Sequence, residues 1–208
     1  SPPPSPSPTS TPTATPTSMP TTAPTSSPTS SPTSSPTSPS SSSMTVSLAS
    51  GWNWFSLNVE AADMGLTKLF ADVTLSENDH IKSQFAFASF YSGYGFFGGL
   101  AALSTDTMYA IKTANSSPLR VTGDAVAFPK MIDIVTGWNY LPCPYQTTKP
   151  IASGMPEFNF ANTDQVKSQF QFAEYYASYG WDGTLSTIEP GKGYKAKTAN
   201  SGPATFSA

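Results

Sequence analysis

The sequence predicts an all-β protein: two small antiparallel β-sandwiches or partly open barrels in tandem, preceded by an extended polyproline-II tail. Three observations predict it. First, composition divides the 208 residues in two: 13 of the 21 prolines fall in residues 1–43, Ser and Thr fill 27 of those positions, and no charged or aromatic residue occurs there. A stretch without Leu, Ile, Val or Phe cannot bury enough apolar surface to offset its conformational entropy, so any core must come from residues 44–208. Second, short segments of that remainder alternate apolar and polar residues with a period of two. Third, the remainder repeats itself at an offset of 85 or 86 residues.

The tail has its own period. Prolines recur at Pro4, Pro8, Pro12, Pro16, Pro20, Pro24, Pro28, Pro32 and Pro36, and from Pro24 the unit is Pro-Thr-Ser-Ser. Proline fixes φ near −65° and pushes the preceding residue into extended geometry. Polyproline II is therefore expected, and at about 3.1 Å per residue the tail would reach roughly 130 Å. A four-residue unit on a three-fold helix turns by about 120°, so the hydroxyl clusters Thr25-Ser26-Ser27, Thr29-Ser30-Ser31, Thr33-Ser34-Ser35 and Thr37 point to successive sides. This spacing suits a rod decorated all round. Ser/Thr/Pro tracts read as mucin-like stalks, so these prolines and hydroxyls are the candidate hydroxyproline and O-glycosylation positions; a bare linker is the alternative. The tail resembles the hydroxyproline-rich glycoproteins of algal and plant cell walls, whose Ser-Pro repeats, as in Ser5-Pro6-Ser7-Pro8, carry sugars on hydroxyl groups. That resemblance covers residues 1–43 and implies an extracellular glycoprotein.

Three parts follow: a stalk over 1–43, a first β domain over 44–128, and its duplicate over 129–208. Gly51-Trp52-Asn53 recurs as Gly137-Trp138-Asn139, and Lys82-Ser83-Gln84-Phe85 as Lys167-Ser168-Gln169-Phe170. From Asp79 to Gly123, 19 of 45 positions are identical to those from Asp164 onward. In chain order, the alternation around Val46 and Leu48 predicts a first strand, as Ile132 and Ile134 do in copy two. Aromatic and β-branched character predicts a strand from Trp52 to Val59. Leu66-Thr67-Lys68-Leu69-Phe70-Ala71 suggests a helical turn or two, which Pro150, Gly154 and Pro156 should abolish in copy two. Ile81 to Phe87 is expected to be one strand with Ile81, Phe85 and Phe87 on one face. Tyr109–Lys112 and Leu119–Val121 read as later strands, with turns at Gly98-Gly99, Asn115-Ser116-Ser117-Pro118 and Pro190-Gly191. Immunoglobulin-like sandwiches fit this plan. Small domains need rings to close their interiors, so Trp52, Trp54, Trp138, Trp181, Tyr94 and Tyr179 are expected in the core rather than on sugar-stacking platforms.

The pattern Gly-Trp-Asn, Lys-Ser-Gln-Phe, Tyr-Gly-Trp-x-Gly-x-Leu and Pro-Gly-x-Gly-Tyr resembles a repeat of secreted bacterial surface proteins. Copy two carries it at Gly180-Trp181-Asp182-Gly183 and Glu189-Pro190-Gly191-Lys192-Gly193-Tyr194; copy one departs at Phe96 and Thr105-Asp106-Thr107-Met108-Tyr109. The resemblance implies an extracellular β module without a defined catalytic role.

Little chemistry is offered. The net charge of −3 is evenly spread, which argues against nucleic acid as a partner, and no apolar run is long enough for a membrane helix. The chain begins with Ser, as a mature secreted protein would, and a secreted or cell-surface location is expected. No catalytic residue, metal ligand or cofactor is assigned: His80 is matched by Gln165, and Glu77-Asn78-Asp79 and Asn162-Thr163-Asp164 have too few carboxylates for a calcium shell and read as solvated turns. Cys143, in Pro142-Cys143-Pro144, reads as a small buried hydrophobe. Asn115-Ser116-Ser117 is an N-glycosylation sequon. The expected function is structural: a subunit of an extracellular glycosylated fibre or wall layer, polymerising with copies of itself head to tail. The layout resembles glycan-coated extracellular filament subunits. The contacts are expected at edge strands carrying Val46, Leu48, Leu119, Val121, Ile132, Ile134 and Phe206. The alternative is a pair of carbohydrate-binding or adhesion modules on a mucin-like linker, which predicts exposed aromatics at the same place in both copies.

Overall fold

The computed structural model describes residues 41–208; the hydroxyproline and O-glycosylation candidates from Pro4 to Thr37 lie outside them. Copy one comprises β1 (Ser41–Leu48), β2 (Gly51–Ser56), β3 (Val59–Glu60), the helical turn α1 (Leu66–Leu69), β4 (His80–Lys82), β5 (Phe87–Tyr91), β6 (Gly95–Gly98), β7 (Met108–Thr113) and β8 (Ser117–Ala125). Copy two comprises β9 (Lys130–Ile134), β10 (Gly137–Leu141), β11 (Lys149–Pro150), the helical turn α2 (Ile151–Gly154), β12 (Gln165–Lys167), β13 (Phe172–Tyr176), β14 (Gly180–Gly183), β15 (Thr187–Ile188), β16 (Tyr194–Thr198) and β17 (Gly202–Phe206).

Each copy builds one five-stranded antiparallel sheet, in the order β2-β7-β4-β5-β6 or β10-β16-β12-β13-β14. A smaller antiparallel sheet, β1-β8-β3 or β17-β9, completes it. Both sheets of a copy feed one core. Val46, Leu48, Leu119 and Val121 from the small sheet are buried with Phe55, Ile81 and Ile111 from the large one. In copy two Ile132, Ile134, Ala204 and Phe206 are buried with Leu141, Val166 and Ala196. The architecture is all-β and sandwich-like, and no sheet closes into a barrel. Each fully buried side chain of this kind contributes about 1.5–3 kcal/mol.

Several local expectations change. β1 starts at Ser41 and pairs with β8 from Ser41↔Asp124 onward, so three serines assigned to the stalk belong to the first sheet. Leu119 and Val121 lie on β8, the middle strand of its sheet, whereas β1, β9 and β17 are edges. All seven candidate assembly side chains are buried, because the alternation that marks them as strand residues also turns them inward; an edge there offers only backbone. Copy two keeps a helical turn, α2. Pro150 stands just ahead of it at φ −55°, where no amide donor is needed, and Gly154 lets the turn lie against Ile188, which a Cβ would approach to 2.8 Å.

Lys82-Ser83-Gln84-Phe85 is not a continuous strand. β4 stops at Lys82, and the chain reverses before β5. The Ser83 hydroxyl accepts from the Ala86 N–H (3.1 Å), and the Ser83 N–H donates to the Ala86 carbonyl (2.8 Å). Ser168 does the same with Gln171, at 3.1 and 2.9 Å. Serine offers the backbone an alternative partner to the sheet ladder, and here it ends the strand.

In the two Asp-containing turns Glu77, Asn78, Asn162 and Thr163 are exposed as expected, but Asp79 and Asp164 are buried anchors. Asp79 accepts from the Ser76 and Ala114 N–H groups, both at 2.8 Å, tying the entry to β4 to the turn between β7 and β8. Asp164 repeats this with Ala161 and Ala199, both at 2.9 Å. Removing one of these carboxylates leaves two amide donors without partners, at about 1–3 kcal/mol each. Asp79→Ala should therefore destabilise the protein by about 2–4 kcal/mol, and Asp79→Asn, which keeps one acceptor oxygen, by less. Urea unfolding of both variants checks this.

Candidate functional site

The repeated residues converge on the seam between the copies. β2 and β10 are the edges of the two large sheets, and each is covered by a glutamine from the other copy. The Gln84 amide donates to the Trp138 carbonyl (2.7 Å) and accepts from the Tyr140 N–H (2.8 Å). Gln169 does the same to the Trp52 carbonyl (2.6 Å) and the Trp54 N–H (3.0 Å). A primary amide has one acceptor and two donors, so it fills the two backbone groups that a neighbouring strand would otherwise take. The contact is made twice with the roles of the copies exchanged, which is the pattern of a two-fold interface within one chain. The Ser56 hydroxyl donates to the Lys192 carbonyl (2.6 Å) and accepts from the Cys143 N–H (2.9 Å), Asn58 donates to the Tyr145 carbonyl (2.6 Å), and Lys130 pairs with Asp106. Gly193 permits the closest approach: a Cβ there would lie 2.9 Å from the Phe55 backbone and the Met108 side chain.

The Gly-Trp-Asn triplets divide their work. Gly51 and Gly137 have φ of +97° and +98°, which only glycine adopts without strain. Asn53 closes the preceding loop through the Ala49 N–H and carbonyl (2.8 and 2.7 Å), as Asn139 does through Val135 (2.9 and 2.6 Å). The Trp between them faces out of the sheet: Trp52 is 39% exposed and Trp138 40%. Lys82 lies over the Trp52 ring (4.7 Å), Lys167 over Trp138 (4.3 Å), and Lys195 over both Trp54 (4.2 Å) and Tyr140 (4.7 Å). His80 packs edge-on against Trp52, ring centroids 4.9 Å apart.

These rings, with Tyr94 (82% exposed) and Tyr179 (66%), are therefore not core. Trp181 differs: it is partly buried against the copy-two core and packs on Phe160 and Tyr175. Phe85 and Phe87, expected on one face with the buried Ile81, are 88% and 60% exposed, and Phe170, the equivalent of Phe85, is 88% exposed at the tip of the second glutamine loop. Beside them lie two equivalent grooves. One, of about 850 Å³, is lined by β1, Trp52, Trp54 and Phe170; the other, of about 510 Å³, by β9, Tyr140 and Phe85. The reciprocal glutamines were the seam's only sequence signal, as a tetrapeptide kept whole in both copies. Asn115 is exposed in the turn between β7 and β8, and its amide donates to Ser76 Oγ (2.9 Å).

Among the described residues no three His, Cys, Asp or Glu side chains are placed to hold a metal ion, and no helix is long and apolar enough to cross a membrane. No protein-family model, curated protein or solved structure matches the chain. The class that fold and seam define is a tandem pair of β-sandwich-like modules joined by a reciprocal edge-capping contact.

Removing Gln84 or Gln169 leaves a donor and an acceptor of an edge strand without their partner. Gln84→Ala plus Gln169→Ala should cost about 1–3 kcal/mol and split a single unfolding transition into two, read by calorimetry. Cys143 is buried in copy two, and burial pushes its thiol up from 9.0 to about 12. Native protein should not react with a thiol reagent at pH 8, and unfolded protein should. The folded thiol keeps its proton where the unfolded one loses it, so this contribution is fully present below about pH 9 and is lost as the pH rises towards 12. Tyr194, also raised by burial, acts in the same direction. Denaturant midpoints measured from pH 8 to 11 should fall.

Proposed function

We propose that the protein is a structural subunit of an extracellular, glycosylated fibre or surface layer, built from copies of this chain. The observation that carries the reading is the pair Phe85 and Phe170, each 88% exposed and each beside a groove walled by an edge strand. Phe87 and Phe172, two residues on, are also exposed, so each copy presents two phenyl rings at one loop, and an exposed apolar cluster supports a contact surface. Its appearance on both copies gives one chain two such surfaces, which is what a polymer needs. The uncharged Pro/Ser/Thr tail supplies the sugar-bearing segment, and the edges of β1 and β9, unpaired among the described residues, supply backbone partners for an extended segment of a neighbouring copy. No catalytic role, cofactor or metal enters this reading.

A second reading, a carbohydrate-binding module pair, is favoured by Trp52 and Trp138, half-exposed at equivalent positions of the two copies.

Electron microscopy and light scattering test the first reading. Full chain should assemble. A chain beginning at Ser41 should stay dispersed, and Phe85→Ser plus Phe170→Ser should raise the critical concentration about tenfold or more, the loss of one buried ring per contact. Normal assembly of the glycan-free truncated chain would overturn it.

A further inference from the structure

We infer that the outward faces of the two large sheets form twin sites for an acidic polysaccharide, with the sugar ring on Trp52 or Trp138 and its carboxylate or sulfate between lysines. This rests on the carbohydrate-binding reading and narrows it to anionic polymers. In copy one, Trp52 pairs across the strands with Lys112, and Lys112 with His80, so the three share one face. Lys82, two residues along β4 from His80, joins them and lies over the indole. In copy two, Trp138 pairs with Lys197 and Lys197 with Gln165, with Lys167 over the ring. Lys195 sits between Trp54 and Tyr140.

Charge points to the ligand. Five of the chain's ten cationic side chains stand on the six strands β2, β7, β4, β10, β16 and β12, and none of these strands carries an acid. Among the described residues the one ion pair is Lys130–Asp106, so none of the five has a carboxylate within 4.0 Å. A protein of net charge −3 that places four of its ten cations around the two exposed indoles, and a fifth over Trp54 and Tyr140, gathers positive charge on these faces against its overall sign. An indole is a platform for a ring with an apolar face, and flanking ammonium groups select rings that bear charge. Glu174 pairs with Asp182 across β13 and β14, beside Gln165, so acids border the copy-two face and confine any polyanion to the strands that carry the lysines; nucleic acid is the competing polyanion and is tested as such.

Isothermal titration of the full chain decides the matter, with polygalacturonate, dextran sulfate, neutral dextran and single-stranded DNA as probes. Binding to either anionic polysaccharide, weakening with salt and absent for neutral dextran, is expected; which polymer binds identifies carboxylate or sulfate as the group recognised. Lys112→Gln plus Lys197→Gln, both at exposed positions, should weaken it about tenfold, as expected for weak exposed ionic contacts at two linked sites. Trp52→Ala plus Trp138→Ala should weaken it as much, whereas a merely ion-exchanging surface would keep its affinity. Equal binding of neutral dextran would overturn the inference and leave the carbohydrate reading standing. Binding of no polysaccharide would overturn both, and tighter binding of the DNA would overturn the inference in favour of a nucleic-acid surface.

Discussion

The exchange of glutamines between the two copies is the contact on which the described structure depends. An edge strand exposes alternating N–H and C=O groups that must be paired or wetted, and β2 and β10 carry such edges on the largest sheets of the molecule. One primary amide meets a carbonyl and, two residues on, an N–H: Trp138 and Tyr140 for Gln84, Trp52 and Trp54 for Gln169. It works only if the loop bearing the glutamine is held at strand distance, and the Ser83 and Ser168 hydroxyls do that. Modules of about 80 residues bury too little surface to be more than marginally stable alone. Joining them through their own edges removes two aggregation-prone strands and couples two small cores in one step.

A two-fold contact constrains how the copies diverge. Residues near the axis meet their own equivalents, so one copy must yield where both cannot fit. Gly193 packs against Met108, the residue at its own equivalent position, and a side chain at 193 would collide with it and with Phe55. Lys195 of copy two corresponds to Ala110 of copy one, and Ala110 is the cross-strand partner of Trp54, which Lys195 covers. A lysine at both positions would bring two ammonium groups to one ring, with mutual repulsion in place of a cation–π contact. Away from the axis the glutamine loops stay alike, down to the paired carbonyls and hydroxyls of Ser83 and Ser168, while the small sheets differ, with three strands in copy one and two in copy two. The seam therefore accounts for the differences at Gly193 and Lys195.

The strands were legible because period-two alternation is a direct consequence of one buried face; Val46, Leu48, Ile132 and Ile134 point inward as that pattern requires. Cys143 was legible for a similar reason, as a small apolar side chain among prolines. The seam was not. Lys-Ser-Gln-Phe continues the alternation of β4, and nothing in the tetrapeptide says that its serine turns the chain back and its glutamine reaches another domain. The same residues then mislead about Phe85, which falls on the buried parity of a strand that has already ended. The tryptophans mislead because composition argues that a small domain needs rings inside, whereas Phe55, Tyr109, Tyr194 and Phe206 already fill that role. α2 survives its prolines because they flank the turn rather than enter it.

Charge is distributed unevenly along the chain. Lys82, Lys167 and Lys195 hold their ammonium groups over indole and phenol rings, at 4.2–4.7 Å from the ring centroids. Their counter-charge does not come from the strands beneath, which carry no acid, nor from residues 1–43, which carry no charge at all. The exposed rings of Phe85 and Phe170 and the lysines of the sheet faces are therefore chemically distinct surfaces: the first are apolar and stand on the glutamine loops, the second are cationic and stand on strands without acids.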